Sequence, residues 1–161
     1  MEWTDAKRAR YRPLGMFLLA TLGVGAAASL FTEPNVATWY AGLVKPSFNP
    51  PNWVFAPVWT TLYVLMAVAA WRVWHKTGLR DPALYAFGAQ LLLNFCWSGI
   101  FFGLHQPGFA LAELLLLNLA ILATLVLFWR RDPIAGMMLV PYLGWTCFAG
   151  LLNYEIWRLN T

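Results

Sequence analysis

Five apolar runs dominate the chain, at about residues 14–31, 53–74, 83–102, 109–129 and 134–157. Each is close to the roughly 20 residues that an α-helix needs to cross a hydrocarbon core. A bilayer offers no water to backbone N–H and C=O groups, so such segments must close their hydrogen bonds internally, as helices. The expected fold is all-α and integral to the membrane: a five-transmembrane-helix bundle. Charge supports this. Only 11% of residues are charged and 60% are hydrophobic, whereas a soluble domain carries about 25% charged residues. The formal charge of +4 is spread over short segments between the runs, so no nucleic acid is expected as a partner. The first run has full spanning length and no small-residue cleavage site, unlike a signal peptide. The chain divides into a basic N-terminal tail, 1–13, and one membrane domain, 14–160.

Orientation follows from Lys and Arg. With the N-terminus inside, the inner segments hold Lys7, Arg8, Arg10, Arg12, Arg72, Lys76, Arg80, Arg130 and Arg131, and the outer ones only Lys45 and Arg158. Nine against two predicts N-terminus inside and C-terminus outside. The short basic tail points to a bacterial protein. Spans three and five open with Arg80-Asp81-Pro82 and Arg131-Asp132-Pro133. Asp at the cap and Pro at the first helical position form a helix-start signal. Cys96 and Cys147 lie inside apolar runs and read as reduced, buried small hydrophobes.

The stretch between spans one and two carries Pro46, Pro50 and Pro51. Each fixes φ and removes a donor, so this outer loop is stiff and non-helical until Pro51 is passed. It reads as a Pro-rich lid between helices 1 and 2. Beneath it, polar groups appear at depths where they are costly. Gln90, Asn94, Trp97 and Phe101 recur at helical spacing on one face of span three. Span five offers Tyr142, Trp145, Ala149 and Asn153, and span two Trp59 and Tyr63. Apolar walls with a few placed hydrogen-bonding groups describe a ligand pocket. Gln90 and Asn94 are equally compatible with purely interhelical hydrogen bonds. Trp3, Trp71, Trp74, Trp129 and Trp157 sit near span ends and read as an interfacial belt, but Trp145 lies near mid-span. Pro57 and Pro141 are expected to kink spans two and five. Glu113 suits a helix-dipole partner or a ligand group. Lys45 suits a headgroup anchor or a partner for a ligand carboxylate. Gly99 and Gly103 form a GxxxG, a weak sign of close helix pairing within or between chains. No metal site and no dedicated catalytic motif is present: His75 and His105 both fall in loops.

These residues resemble the translocator protein or tryptophan-rich sensory protein family, TspO/MBR, over positions 14–160. The likeness rests on Trp39-Tyr40-Ala-Gly-Leu with Lys45-Pro46-Ser, on Pro50-Pro51, and on Pro57-Val-Trp59 with Leu62-Tyr63. It continues in Asn94-x-x-Trp97 with Ile-Phe-Phe-Gly103, in Pro141-Tyr142-Leu-x-Trp145, and in Leu152-Asn153-Tyr154-x-x-Trp157-Arg158. The resemblance implies a five-helix bundle, homodimeric, around a cavity closed by the first loop. It implies tetrapyrrole ligands, protoporphyrin IX or haem, with no required cofactor, and in some settings sterol or other membrane lipid. By motif position the ligand-binding residues would be Trp39, Trp59, Tyr63, Gln90, Asn94, Trp97, Trp145, Ala149 and Asn153. The sterol motif would be Leu152, Tyr154 and Arg158. Some family members degrade porphyrin in light, which would assign photochemistry to Trp59 and Trp145. Phe48 and Phe95 stand where many members have tryptophan. Three functions therefore remain open: tetrapyrrole transport, buffering or sensing; light-dependent porphyrin degradation; and sterol or lipid binding.

Overall fold

The computed structural model describes the backbone of residues 2–161 and the side chains of 11–161. The side chains of Trp3, Lys7, Arg8 and Arg10 lie outside the described residues. Five helices make up the bundle: α1 (Glu2–Val36), α2 (Phe55–Thr77), α3 (Pro82–Ser98), α4 (Pro107–Arg131) and α5 (Pro133–Leu159). Each contains a stretch long and apolar enough to cross a membrane. The described residues contain no strand.

Helix α1 is longer at both ends than hydropathy suggests. It runs back through the segment read as a tail and forward past Phe31 to Val36. Polar residues in its last turns bond back to the helix itself. Thr32 Oγ1 donates to the Ala28 carbonyl, and Asn35 Nδ2 to the Phe31 carbonyl. The connecting segment is correspondingly shorter, and it begins with a 3-10 turn at Tyr40–Gly42. A second 3-10 turn, Asn52–Val54, follows Pro51 directly. Pro57 does not kink α2. It sits in the first turn, where a backbone N–H has no partner within the helix anyway. Pro141 does lie inside α5, where its missing N–H leaves the Met137 carbonyl without its helical donor.

Both Arg-Asp-Pro sequences start helices as their residue types require. Asp81 accepts from the Ala83 N–H at 2.8 Å, and Asp132 from the Ile134 N–H at 3.1 Å. The two starts are also linked to each other and to α2. Arg131 Nε lies 2.8 Å from Asp81 Oδ1, while Arg72 Nη2 lies 2.9 Å and Lys76 Nζ 3.3 Å from Asp132 Oδ2. These ion pairs lock the basic end of α2, α3, α4 and α5. Gly78 ends α2 with φ 80°, a left-handed conformation that favours glycine. At Gly136 a Cβ would lie 2.8 Å from Trp129 Cα, so only glycine lets α5 turn back this tightly against α4. Packing is most extensive between α4 and α5, with α3 against α4 and α1 against α2 following. Helix α1 has the least buried span of the five. One flank of the bundle is therefore thinly covered.

Asp132 is the buried member of this cluster. Burial alone would raise its carboxyl, but the hydrogen bonds and positive charges of Arg72 and Lys76 outweigh that and hold it below the usual carboxylate range. A depressed folded-state value stabilises the fold above the unfolded-state pKa of about 3.9, and that stability is lost as pH falls through the folded value. Asp132→Asn keeps a capping oxygen but removes the charge. Its melting temperature in detergent is expected to lie well below wild type at pH 7, the gap closing as pH drops below about 4. Asp132→Ala also loses the cap and is expected to cost about 3 kcal/mol at pH 7, the ion pairs being discounted for their half-exposed cationic partners.

Candidate functional site: an aromatic cavity open between two helices

A cavity of about 610 Å³ lies in the half of the bundle nearest the Pro-rich segment. That is within the ~300–1,000 Å³ typical of small-molecule sites. Its walls come from all five helices. Seven of the nine residues expected at the site line it: Trp59, Tyr63, Asn94, Trp97, Trp145, Ala149 and Asn153. Gln90 and Trp39 do not. Gln90 sits one turn of α3 below Asn94 and is fully buried. Trp39 lies behind the wall, stacked on His105 at 4.3 Å and edge-on to Phe101 at 5.5 Å.

A hydrogen-bonded chain forms the floor. Tyr63 OH donates to Asn94 Oδ1 at 2.7 Å, Asn94 Nδ2 to Tyr142 OH at 3.1 Å, and Tyr142 OH to Gln90 Oε1 at 2.8 Å. Gln90 Nε2 reaches Met66 Sδ at 3.8 Å. The chain joins α2, α3 and α5, and each amide already has protein partners. Asn94 and Gln90 thus hydrogen-bond between helices, as their purely interhelical reading expects. Asn153 is committed too. It accepts from Trp97 Nε1 at 3.1 Å and donates to the Pro107 carbonyl at 2.8 Å. This fixes the Trp97 indole and the start of α4 together. Trp59 rests on the floor, 5.7 Å from the Tyr63 ring and edge-on to Tyr142 at 6.2 Å. Trp145 differs from Trp97: its indole N–H is buried without a hydrogen-bond partner among the described residues.

At the end of α3 the backbone widens into a π-helical turn, Gly99–Gly103, with Leu104 N–H donating to the Gly99 carbonyl at 2.9 Å. The wider turn lets two consecutive side chains, Phe101 and Phe102, both face inward and both be buried. The glycine pair serves this chain in part. A Cβ on Gly103 would sit 3.1 Å from the Phe31 ring, whereas nothing lies within 4 Å of one on Gly99.

The Pro-rich segment touches the cavity only near its ends, through Ala37, Tyr40 and Asn52. It is tied down at several points. Tyr40 OH donates to Asn49 Oδ1 at 3.0 Å, and Asn160 bonds both the N–H and the carbonyl of Val44 at 2.9 Å. Lys45 does not reach the cavity. Its ammonium donates to the Leu43 carbonyl at 3.1 Å and lies 4.6 Å from the Tyr40 ring centre. Phe48 meets Phe148, and Phe95 meets Phe31. Neither lines the cavity, so these two replacements leave its indole set unchanged.

The lining residues missed by sequence reasoning lie mainly on α1. Gly25, Ser29, Thr32 and Val36 recur at helical spacing and form one wall. At Gly25 a Cβ would come within 2.5 Å of the Tyr63 ring. The lining residues that are also exposed are Leu22, Ala26, Glu33 and Ala37, with Asn52, Ala56 and Thr60 opposite. They flank one opening, between α1 and α2, at the height of a membrane span. A second, shallower groove of about 480 Å³ lies on the far side of Trp145, between Pro57 of α2 and Pro141 of α5. The sterol-motif residues diverge. Leu152 lines the cavity, Tyr154 is exposed, and Arg158 pairs with Glu155 at 2.6 Å. Cys147 is exposed rather than buried, and both cysteines are free. Glu113 lies well inside α4, with both carboxyl oxygens buried and unpartnered. The described residues contain no cluster able to hold a metal.

Fold and site together define a multi-pass membrane protein with an aromatic internal cavity. The sequence profile of the TspO/MBR family matches residues 17–158. The chain is 44% identical over 144 residues to the tryptophan-rich protein TspO of Archaeoglobus fulgidus, covering 89% of this chain and 94% of that protein. It is 42% identical over 151 residues to the human translocator protein, covering 91% and 89%. It is 40% identical over 148 residues to the protein CrtK of Rhodobacter capsulatus, covering 90% and 91%. The chain belongs to the TspO/MBR family.

The floor predicts a stability effect. Tyr142→Phe removes one hydroxyl but leaves Gln90 Oε1 and Asn94 Nδ2 buried without their partner. A loss of about 2 kcal/mol is expected, more than the ~0.6 kcal/mol average for hydrogen bonds between membrane helices. Thermal unfolding in detergent measures it. A melting temperature equal to wild type would show that the chain of amides and phenols does not hold the floor.

Proposed function

We propose that this protein binds a flat tetrapyrrole such as protoporphyrin IX or haem in the cavity, and acts in its transport, buffering or sensing. The supporting observation is the joint placement of Trp59, Trp97 and Trp145 on one cavity that opens between two helices. Three indoles offer faces and edges to a large aromatic ring. An opening at span height suits a ligand that partitions into lipid. The names borne by relatives, translocator protein and tryptophan-rich sensory protein, agree with a carrier or sensor. The basic end of the bundle, with its surplus of Lys and Arg, lies on the inner side of the membrane, and the cavity therefore on the outer half. We propose that a second copy of the chain docks around Gly99, where no described atom lies within 4 Å of an added Cβ.

One observation favours light-dependent degradation as a second reading. Trp59 and Trp145 line the same space, so a ring held there lies against both. The two readings separate under illumination.

Ala149→Phe places a ring in the cavity without touching the floor. Tryptophan quenching in the dark is expected to show protoporphyrin IX binding weakened by at least about 10-fold, or roughly 1.4 kcal/mol, with the melting temperature unchanged. Equal affinity would place the ligand elsewhere. If degradation is real, wild type under light bleaches the porphyrin band faster than a protein-free control, and a Trp59→Phe, Trp145→Phe double variant does not. Equal bleaching leaves binding alone.

A further inference from the structure

The cations where α2 and α4 end and α3 begins fall into two sets. Arg72 and Lys76 are held by Asp132, and Arg131 by Asp81 and the Leu127 carbonyl. Arg80 and Arg130 are exposed and form no ion pair or hydrogen bond with a described residue. The fold nevertheless holds these two together. Arg80 precedes Asp81 and Arg130 precedes Arg131, so the 2.8 Å Asp81–Arg131 bridge tethers both backbones to one edge, where α3 starts and α4 ends. Asp81 and Asp132, the carboxylates there, are already paired. Two guanidiniums are left over. Arg130 also heads an apolar track. Val126, Leu122 and Leu119 lie four, eight and eleven residues before it, on one face of α4, and all three are exposed. At 1.5 Å per residue they reach about 16 Å from Arg130, close to the ~15 Å depth of one leaflet's hydrocarbon. The exposed Trp129 adjoins Arg130, at a level where indoles favour the membrane interface.

We propose that this edge is a binding site for an anionic phospholipid, with Arg80 and Arg130 on its headgroup phosphate and an acyl chain along Val126, Leu122 and Leu119. A guanidinium presents a planar fork that matches phosphate oxygens and is weakly hydrated. A zwitterionic phospholipid carries its own ammonium beside the phosphate, which opposes the two arginines. An anionic one carries none. The occupant is a lipid rather than a soluble phosphate because the free guanidiniums adjoin an apolar track one leaflet deep. Each Lys or Arg near a membrane surface is worth about 5-fold in preference for anionic lipid, so the pair supplies about 30-fold. The site lies at the end of the bundle away from the cavity and does not depend on what the cavity binds.

The test titrates delipidated protein in neutral detergent with phosphatidylglycerol or with phosphatidylcholine of the same acyl chains. Thermal unfolding gives an apparent dissociation constant for each lipid, because a ligand of the folded state raises the melting temperature. Wild type is expected to prefer phosphatidylglycerol by about 30-fold at low salt. Arg80→Gln and Arg130→Gln should each lower that preference about 5-fold, and the double variant should bring it near 1. The lipid-free melting temperature should not change, since neither side chain has a partner among the described residues. Arg80→Lys with Arg130→Lys keeps both charges and should keep most of the preference. A wild type without the preference, or an Arg80→Gln, Arg130→Gln double variant that retains it, would overturn the proposal. Stabilisation by inorganic phosphate equal to that by phosphatidylglycerol would overturn it too, by showing a soluble-anion site that makes no use of the apolar track.

Discussion

The cavity depends on the hydrogen-bonded chain Tyr63–Asn94–Tyr142–Gln90. Each of these groups lies in a membrane span, where an unpaired donor or acceptor has no water to turn to. Pairing them with one another satisfies three helices at once and fixes the rotation of each about its axis. That rotation decides which residues face inward. Asn94 at the floor puts Trp97 and Phe101 on the wall above it, one and two turns further along α3. Tyr142 at the floor does the same for Trp145 and Ala149 on α5. Tyr63 carries Trp59 with it on α2. The indole walls are a geometric consequence of a polar floor.

The two ends of the bundle are held by different physics. The basic end is closed by ion pairs among Arg72, Lys76, Asp81, Arg131 and Asp132. The other end is held by neutral hydrogen bonds, such as those of Asn153 to Trp97 and Pro107, and of Asn160 to Val44. Among the described residues, the cavity lining is aromatic, aliphatic, hydroxyl and amide, and Glu33 at the mouth is its one charged residue. The weak coverage by α1 leaves the opening. Its small side chains, Ala26 and Ala56 among them, leave space between α1 and α2 that larger residues would fill.

Much of this was legible in the residues. Hydropathy located all five helices, and the 3.6-residue period put Asn94, Trp97 and Phe101 on one face. Asp81 and Asp132 declared their helix starts. Three things were hidden. Depth along a helix does not say which side of a floor a residue lies on, and Gln90, bonded to Tyr142, is buried outside the lining. Trp39 follows the end of α1, where a 3-10 turn aims it at His105 rather than inward. The polar residues Thr32, Glu33 and Asn35 lower hydropathy and so truncated the first span at Phe31. The helix continues because Thr32 and Asn35 bond back to its own carbonyls. Glu33 therefore lies in α1 and on the cavity rim, although hydropathy places it in a loop. Proline alone does not distinguish the helix-interior position of Pro141 from the first-turn position of Pro57.

The most direct test is an experimental structure of the protein saturated in the dark with protoporphyrin IX. The account predicts ring density inside the cavity, bounded by Trp59, Trp97 and Trp145, with the Tyr63–Asn94–Tyr142 floor unbroken beneath it. Ring density in the lipid-facing groove between Pro57 and Pro141, with the cavity empty, would contradict it.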